Sequence, residues 1–403
     1  MRILITTRGS SGHLLPLAPI GHACVDAGHD VRVAAQAQHR DNVERVGLPF
    51  EPVGDPPAEE WMPLMAEFSQ LDLDTANERM VGDFFAGIDT RAGLPALSEL
   101  VAEWRPDLIV RESWEFASTI VADRHGIPVA RVGLGLASLE EASIEIAAPT
   151  VDRIRRDAGL QGDPDGKRLR ESHYFTFIPE TIDPGLEGLA SVVHRFRDPV
   201  AEAPPPLPDL WPGNDDPLVY LTFGSVAAGA HLPYFPALYQ SAIEELSNLP
   251  VRLLITIGND RDPAELGADS LPPNVRVERW VSQDAISPRA AAIVCHGGYG
   301  TTLHALAHGT PLVVLPLFST DQWENAAAVA RAGAGIALDA DRDSRRVLEV
   351  PGPDVLGELR PALERVLAEP RFEGNTARIA ASIAALPPVD EAPSQLAEIA
   401  ARS

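Results

Sequence analysis

The chain has 403 residues, 45% of them hydrophobic, and a formal net charge of -25. That length exceeds one ordinary core and implies two domains of roughly 150 to 200 residues, while the acidic balance excludes a broad electrostatic surface for nucleic acid or an anionic membrane. No run reaches roughly 18 apolar residues, which excludes membrane insertion by a helix, and the two cysteines, Cys24 and Cys295, lie apart in apolar segments, which argues against a disulfide framework or a zinc site. The opening MRILITTRGSSGH enters a strand without the charged, apolar and cleavage regions of a leader, so a cytoplasmic location is expected.

In chain order, RILITT at 2–7 predicts a strand, RGSSGH a loop, and 14–27 an apolar helix closed by Gly28. VRVAAQ at 31–36 is the next strand, followed later by PDLIVRE at 106–112, a helix over 114–125, and IPVARVGL at 127–134. Short β-branched runs separated by helices imply a parallel sheet covered on both faces. DPVAEAPPPLPDLWPGNDDP at 198–217 cannot sustain a helix and reads as an interdomain linker. The second half repeats the pattern with strands at 218–225, 251–258, 275–280, 291–298 and 311–317. A short amphipathic helix, SQLAEIAARS, is predicted at 394–403.

Within AAIVCHGGYGTTLHALAHGTPLVVLP, 291–316, the order is strand, Gly-rich loop, helix, strand. Gly297, Gly298 and Gly300 let backbone approach a ligand, and the amides of Gly300, Thr301 and Thr302 open a helix, an arrangement that suits a pyrophosphate. His296 can add a hydrogen bond or a charge there. The same glycines would also serve a bare strand-to-helix turn.

Four segments in this order, TFGS at 222–225, RWVSQ at 279–283, HGGYGT at 296–301 and STDQWENA at 319–326, resemble the donor-binding signature of the inverting, family 1 glycosyltransferases of GT-B fold. The likeness is strongest to bacterial enzymes that glycosylate antibiotics and other natural products, and it covers nearly the whole chain. It implies an α/β architecture of two Rossmann-like, doubly wound domains facing across a cleft: an acceptor domain at 1–200, a Pro-rich linker at 201–217, a nucleotide-sugar domain at 218–385, and a terminal helix at 386–403 that docks back on the first domain. It also implies that Ser225 lies near the donor phosphates, that Trp280 stacks on the base while the Val281 backbone reads its edge ahead of Gln283, and that His296, Gly298, Gly300 and Thr301 surround the diphosphate. Asp321 and Gln322 would hydrogen-bond sugar hydroxyls. Ser282 stands where the family usually has proline.

In the first half, Ser11 and Gly12 fall on the donor side and His13, at the start of a helix after the first strand, matches the family's catalytic histidine. A histidine suits removal of a hydroxyl proton near neutral pH. Glu112, where the family usually carries aspartate, is its expected orienting carboxylate. Trp61, Phe68, Phe84 and Trp114 are expected to line an apolar acceptor pocket, the first three among the aromatic and Met residues of 58–90. A helical hairpin packed on its own domain explains that stretch equally well.

Relatives that use UDP carry a glutamate three residues after the position of Thr301, where it binds both ribose hydroxyls; here that residue is His304. The change favours a dTDP-linked donor, whose deoxyribose lacks the 2'-hydroxyl. The expected reaction is metal-independent, with no Asp-x-Asp cluster and no cofactor beyond the nucleotide sugar, which is a substrate. Expected partners are that donor and a small hydrophobic acceptor; the oligomeric state is left open, a homodimer included. The alternatives are a UDP-sugar transferase, a nucleotide-sugar epimerase and a noncatalytic activator on the same fold. GSSGH is not GxGxxG, which disfavours a dehydrogenase.

Overall fold

The computed structural model describes residues 1–170, 173–186, 188–197, 205–224, 226–229, 232–267, 270–339 and 345–402. The chain divides into two compact units: Met1–Phe68, Asp74–Pro199 and Ala385–Ser403 form one, and Ser69–Leu73 with Val200–Ala384 form the other. Each is organised around a parallel sheet.

The first unit contains β1 (Arg2–Thr6), β2 (Asp30–Gln36), β3 (Phe50–Val53), β4 (Leu108–Glu112), β5 (Val129–Val132), β6 (His173–Thr176) and β7 (Val192–Arg195). They pair in the order β3-β2-β1-β4-β5-β6-β7. β4 is buried along its whole length, including Arg111 and Glu112. An apolar run buried on both faces is what a helix-covered parallel sheet requires, and the two charged residues at its end are tolerated because each is hydrogen-bonded. The Arg111 guanidinium donates to the carbonyls of Glu112, Ser113 and Glu115 at 3.0 to 3.1 Å.

The second unit contains β8 (Leu218–Thr222), β9 (Arg252–Thr256), β10 (Val275–Glu278), β11 (Ala292–Cys295), β12 (Leu312–Val314) and β13 (Gly335–Ala337), in the order β10-β9-β8-β11-β12-β13. Its core gathers Val219, Leu221, Leu253, Ile255, Val294 and Val313 from four of these strands with Tyr239, Leu359 and Leu363 from covering helices.

Several expectations shift. The single helix expected over 14–27 is two, Ser11–Leu14 and Ala18–Asp26. Pro16 and Pro19 supply no amide hydrogen there, and Pro19 instead occupies the first turn of the second helix. β3, β6, β7 and β13, each of three or four residues, carry too little pattern to be read from sequence. Of the expected linker, 201–204 lie outside the described residues and 205–217 form neither helix nor strand. The last helix, Ala392–Arg402, buries Leu396 and Ile399 and packs on the Ala18–Asp26 helix within the first unit. The 58–90 stretch forms helices Ala58–Phe68 and Leu73–Glu78 and then a π-helix, Arg79–Asp89, which runs into the Thr90–Trp104 helix. Among the described residues no helix is long and apolar enough to cross a membrane.

Gly335 shows how tightly the second sheet is closed. It pairs with Leu312, and a Cβ there would lie 2.1 Å from the Leu312 carbonyl oxygen. Gly335→Ala is therefore expected to destabilise the fold by roughly 1 to 3 kcal/mol, read as a lower urea midpoint than wild type.

Candidate active site

In the first unit, β1 and β4 pair in parallel from Ile3 with Leu108 to Thr6 with Arg111. The loop that leaves β1 and the last residue of β4 therefore emerge side by side, and the Ser11–Leu14 helix brings the His13 ring against the Glu112 carboxylate. His13 Nδ1 lies 2.9 Å from Glu112 Oε1. The carboxylate is wholly buried, whereas the His13 side chain keeps 17% of its exposure.

Glu112 has further partners. Its Oε2 accepts the Trp114 amide at 2.5 Å, and Oε1 accepts the Arg8 amide at 3.4 Å. Burial by itself would raise the Glu112 carboxyl, but the charge and hydrogen bond of His13, then the Trp114 amide, outweigh it and hold the group below the ordinary carboxylate value. With Nδ1 tied to a carboxylate as a donor, the imidazole presents Nε2 as the acceptor.

Two aromatic edges flank the ring, Trp114 at 5.6 Å and Phe85 at 5.9 Å between centroids. Phe84 touches Phe85 at 5.7 Å and stands one step back. The aromatic that reaches His13 from the π-helix is thus Phe85 rather than Phe84. Trp61 and Phe68 lie on the Ala58–Phe68 helix and are not among the ring contacts of His13. Arg8, which the sequence does not single out, pairs with Asp89 and lays its guanidinium over Phe85 at 3.9 Å and Phe84 at 4.8 Å. Asp89 also accepts from Gln36 Nε2 at 2.5 Å. The π-helix, a rare form frequent at functional sites, is therefore pinned at its C-terminal end by a charge from the loop after β1.

In the second unit, the HGGYGT loop follows β11. Gly297 adopts φ +86, and a Cβ on it would meet the Gln322 carbonyl oxygen at 2.8 Å, so glycine is required there. Asn325, unassigned in the sequence reading, donates to the Gly297 carbonyl at 2.8 Å and fixes the turn. The Tyr299–Ala307 helix starts at Gly298 with no side-chain cap, which leaves the amides of Gly300 and Thr301 pointing out of its first turn. Gln283 Nε2 donates to Thr301 Oγ1 at 3.0 Å and ties the RWVSQ segment to that turn.

The His296 ring is closely bounded by Gly224 and Gly298, where a Cβ would come within 2.7 Å and 2.6 Å of it. Its Nδ1 is buried and has no partner in the chain. Burial lowers its pKa to about 4, so at neutral pH the ring offers a hydrogen bond and no charge, a narrower role than the sequence suggests. Ser225 lies outside the described residues. Trp280, two residues beyond β10, keeps 66% of its surface exposed, an open indole face followed by Val281 and Ser282. Asp321 sits in the first turn of the Thr320–Arg331 helix and accepts from Ser319 Oγ. Gln322 is buried; its Oε1 accepts the amides of Leu317 and Phe318 at 2.8 and 3.1 Å, which leaves only Nε2 for a ligand.

Both halves of this chemistry match one family. The model of the erythromycin biosynthesis protein CIII-like N-terminal domain matches residues 22–184, and that of the C-terminal domain matches residues 240–399. The 4'-demethylrebeccamycin synthase of Lentzea aerocolonigenes is 30% identical, with 94% of each chain covered. The L-demethylnoviosyl transferase of Streptomyces niveus is 32% identical over 85% of this chain and 86% of its own. The chain belongs to the antibiotic-tailoring glycosyltransferases. It has their GT-B fold: the Streptomyces sp. SF2575 glycosyltransferase SsfS6, solved in complex with thymidine diphosphate, aligns with a TM-score of 0.72 at 23% identity over 99% of both chains.

The protein is thus a glycosyltransferase that transfers a sugar to a natural product. The stability of its His13–Glu112 pair follows from the lowered carboxyl. A depressed folded value contributes stability that is complete above the unfolded carboxylate value of about 4.3 and is lost as pH falls through the lower folded one. Glu112→Ala, which strands the Trp114 amide and His13 Nδ1, is expected to lower stability by roughly 1 to 3 kcal/mol at pH 7. Urea titrations should show the gap to wild type narrowing as the pH drops below about 4.

Proposed function

We propose that this glycosyltransferase transfers a sugar, with inversion, from a dTDP-linked donor to a hydroxyl of a hydrophobic natural-product acceptor, with His13 as general base and Glu112 as its orienting residue. The observation that carries the reading is the 2.9 Å contact between His13 Nδ1 and the buried Glu112 carboxylate. It fixes one tautomer, leaves Nε2 to take the acceptor proton as the new glycosidic bond forms, and stabilises the imidazolium that results. Glutamate in place of the family's aspartate reaches the ring with its longer side chain while still accepting the Trp114 amide.

On the donor side, Trp280 stacks on the base and the Val281 backbone reads its edge. The uncapped turn at Gly300 and Thr301, with the free Nδ1 side of His296, receives the diphosphate. These donors stabilise the charge that grows on the departing dTDP without a metal ion. Asp321 and Gln322 Nε2 take the sugar hydroxyls, and Phe85, Phe84 and Trp114 supply the apolar wall for the acceptor.

The choice of dTDP is supported by His304. Burial keeps this imidazole neutral, with a pKa near 4, and it offers no bidentate acceptor for a ribose diol. That SsfS6 was solved with thymidine diphosphate supports the same nucleotide.

His13→Ala should lower kcat by about 10²- to 10⁴-fold while dTDP affinity, measured by calorimetry, stays at the wild-type value. Retention of full turnover would remove His13 from the role of base. Trp280→Ala should weaken dTDP binding by roughly 1 to 3 kcal/mol. UDP binding tighter than dTDP in the wild-type protein would overturn the nucleotide assignment, and the anomeric coupling of the product by NMR reads out inversion.

A further inference from the structure

His304 and His308 stand one turn apart on the Tyr299–Ala307 helix and its C-cap, with ring centroids 4.4 Å apart. Asp284, in the Gln283–Ile286 helix, approaches them from a separate element; its Oδ1 is 3.5 Å from His304 Nε2. One ligand atom from each of the three residues falls within 4.8 Å of the others, the one such grouping of histidine, cysteine and carboxylate side chains among the described residues. Asp284 and His308 have no part in the donor or acceptor machinery assigned above, and His304 enters it only as the residue at the ribose position.

The outer contacts are those of a ligand set. His308 directs Nδ1 at the His304 carbonyl oxygen, 2.9 Å away, which makes Nδ1 the protonated nitrogen and turns the lone pair of Nε2 outward. The His304 ring hydrogen-bonds the backbone of Gln283. Its Nε2 is a buried nitrogen with no hydrogen bond, facing a carboxylate that stands too far away for one. Metal-binding histidines are generally held in this way, with the second nitrogen anchored on a carbonyl. Two imidazoles and one carboxylate suit a borderline ion such as Zn²⁺, whose ligands sit about 2.0 to 2.2 Å from the metal. Small rotations of the half-exposed Asp284 and of His308 would draw the three atoms to that distance and leave a fourth position for water.

We propose that Asp284, His304 and His308 form a binding site for a divalent transition ion of the zinc class, which cross-links the Gln283–Ile286 helix to the Tyr299–Ala307 helix. The site takes no part in the proton transfer assigned to His13, and its ligand geometry is the same whichever nucleotide the enzyme uses.

The test uses the tag-free, full-length protein stripped of metal by chelation and dialysis. Zn²⁺ titrated by calorimetry should saturate at one equivalent, and Co²⁺ should give the intense visible bands of a four- or five-coordinate nitrogen and oxygen site. His308→Ala and Asp284→Ala, at partly exposed positions and checked for wild-type circular dichroism and melting, should each weaken Zn²⁺ binding more than about tenfold. His304→Ala should do the same, while His22→Ala should leave binding unchanged. No saturable binding in the wild type, or equal affinity in the His308 and Asp284 variants, would overturn the proposal.

Discussion

The parallel register between β1 and β4 is the constraint from which the first candidate site follows. Thr6 pairs with Arg111, so the chain leaves both strands at the same edge, and residues 99 apart in sequence become hydrogen-bond partners. A carboxylate at the end of a fully buried strand would be costly alone. Here three donors share it: the Trp114 amide, the Arg8 amide and His13 Nδ1. The adjoining Arg111 is anchored through Nη1 on three backbone carbonyls, and Glu115 accepts from Thr6 Oγ1 at 2.8 Å. The sheet edge is thus a polar network built into the core, stiff enough to hold an imidazole in one orientation.

The second unit repeats the principle with backbone instead of charge. β8 and β11 pair up to Thr222 with Cys295, and the turns that follow bring Gly224 and Gly298 close around the His296 ring. Neither glycine could carry a side chain without displacing that ring. Gln322 and Asn325, on the next helix, brace the neighbouring loops through main-chain contacts. The residues that look like ligand contacts in the sequence therefore divide in two. Some present free groups, as Trp280 and the helix start at Gly300 do, and others hold those groups in place.

Much of this was legible before the structure. Apolar runs of four to seven residues bounded by Gly and Pro mark the central strands of both sheets, because a strand buried on both faces has no polar alternation to blur it. The edges were not legible: β3, β7 and β13 are short and half-exposed, and their pairing is set by neighbours rather than by composition. His13 and Glu112 could be named because each falls at a strand end. The identity of the aromatic partner could not, since Phe84 and Phe85 are adjacent and only the wide turn of the π-helix decides which ring faces the imidazole. Arg8 was missed for a similar reason. Its stacking on Phe84 and Phe85 and its pairing with Asp89 are long-range contacts that no local pattern encodes.

The net charge of -25 gives the donor site its character. On the proposed reading, an acidic protein must attract a diphosphate locally, and it does so with an uncapped helix N-terminus, whose dipole amounts to roughly half a positive charge, and with a neutral His296. On the same reading, full cations at that place would also hold the departing nucleoside diphosphate more tightly and slow its release. Oriented amides and a neutral ring strengthen their hold as negative charge grows on the leaving group. The closely bounded ring of His296, which burial keeps uncharged, is thereby matched to a reaction in which the charge to be stabilised is created during transfer and must then leave.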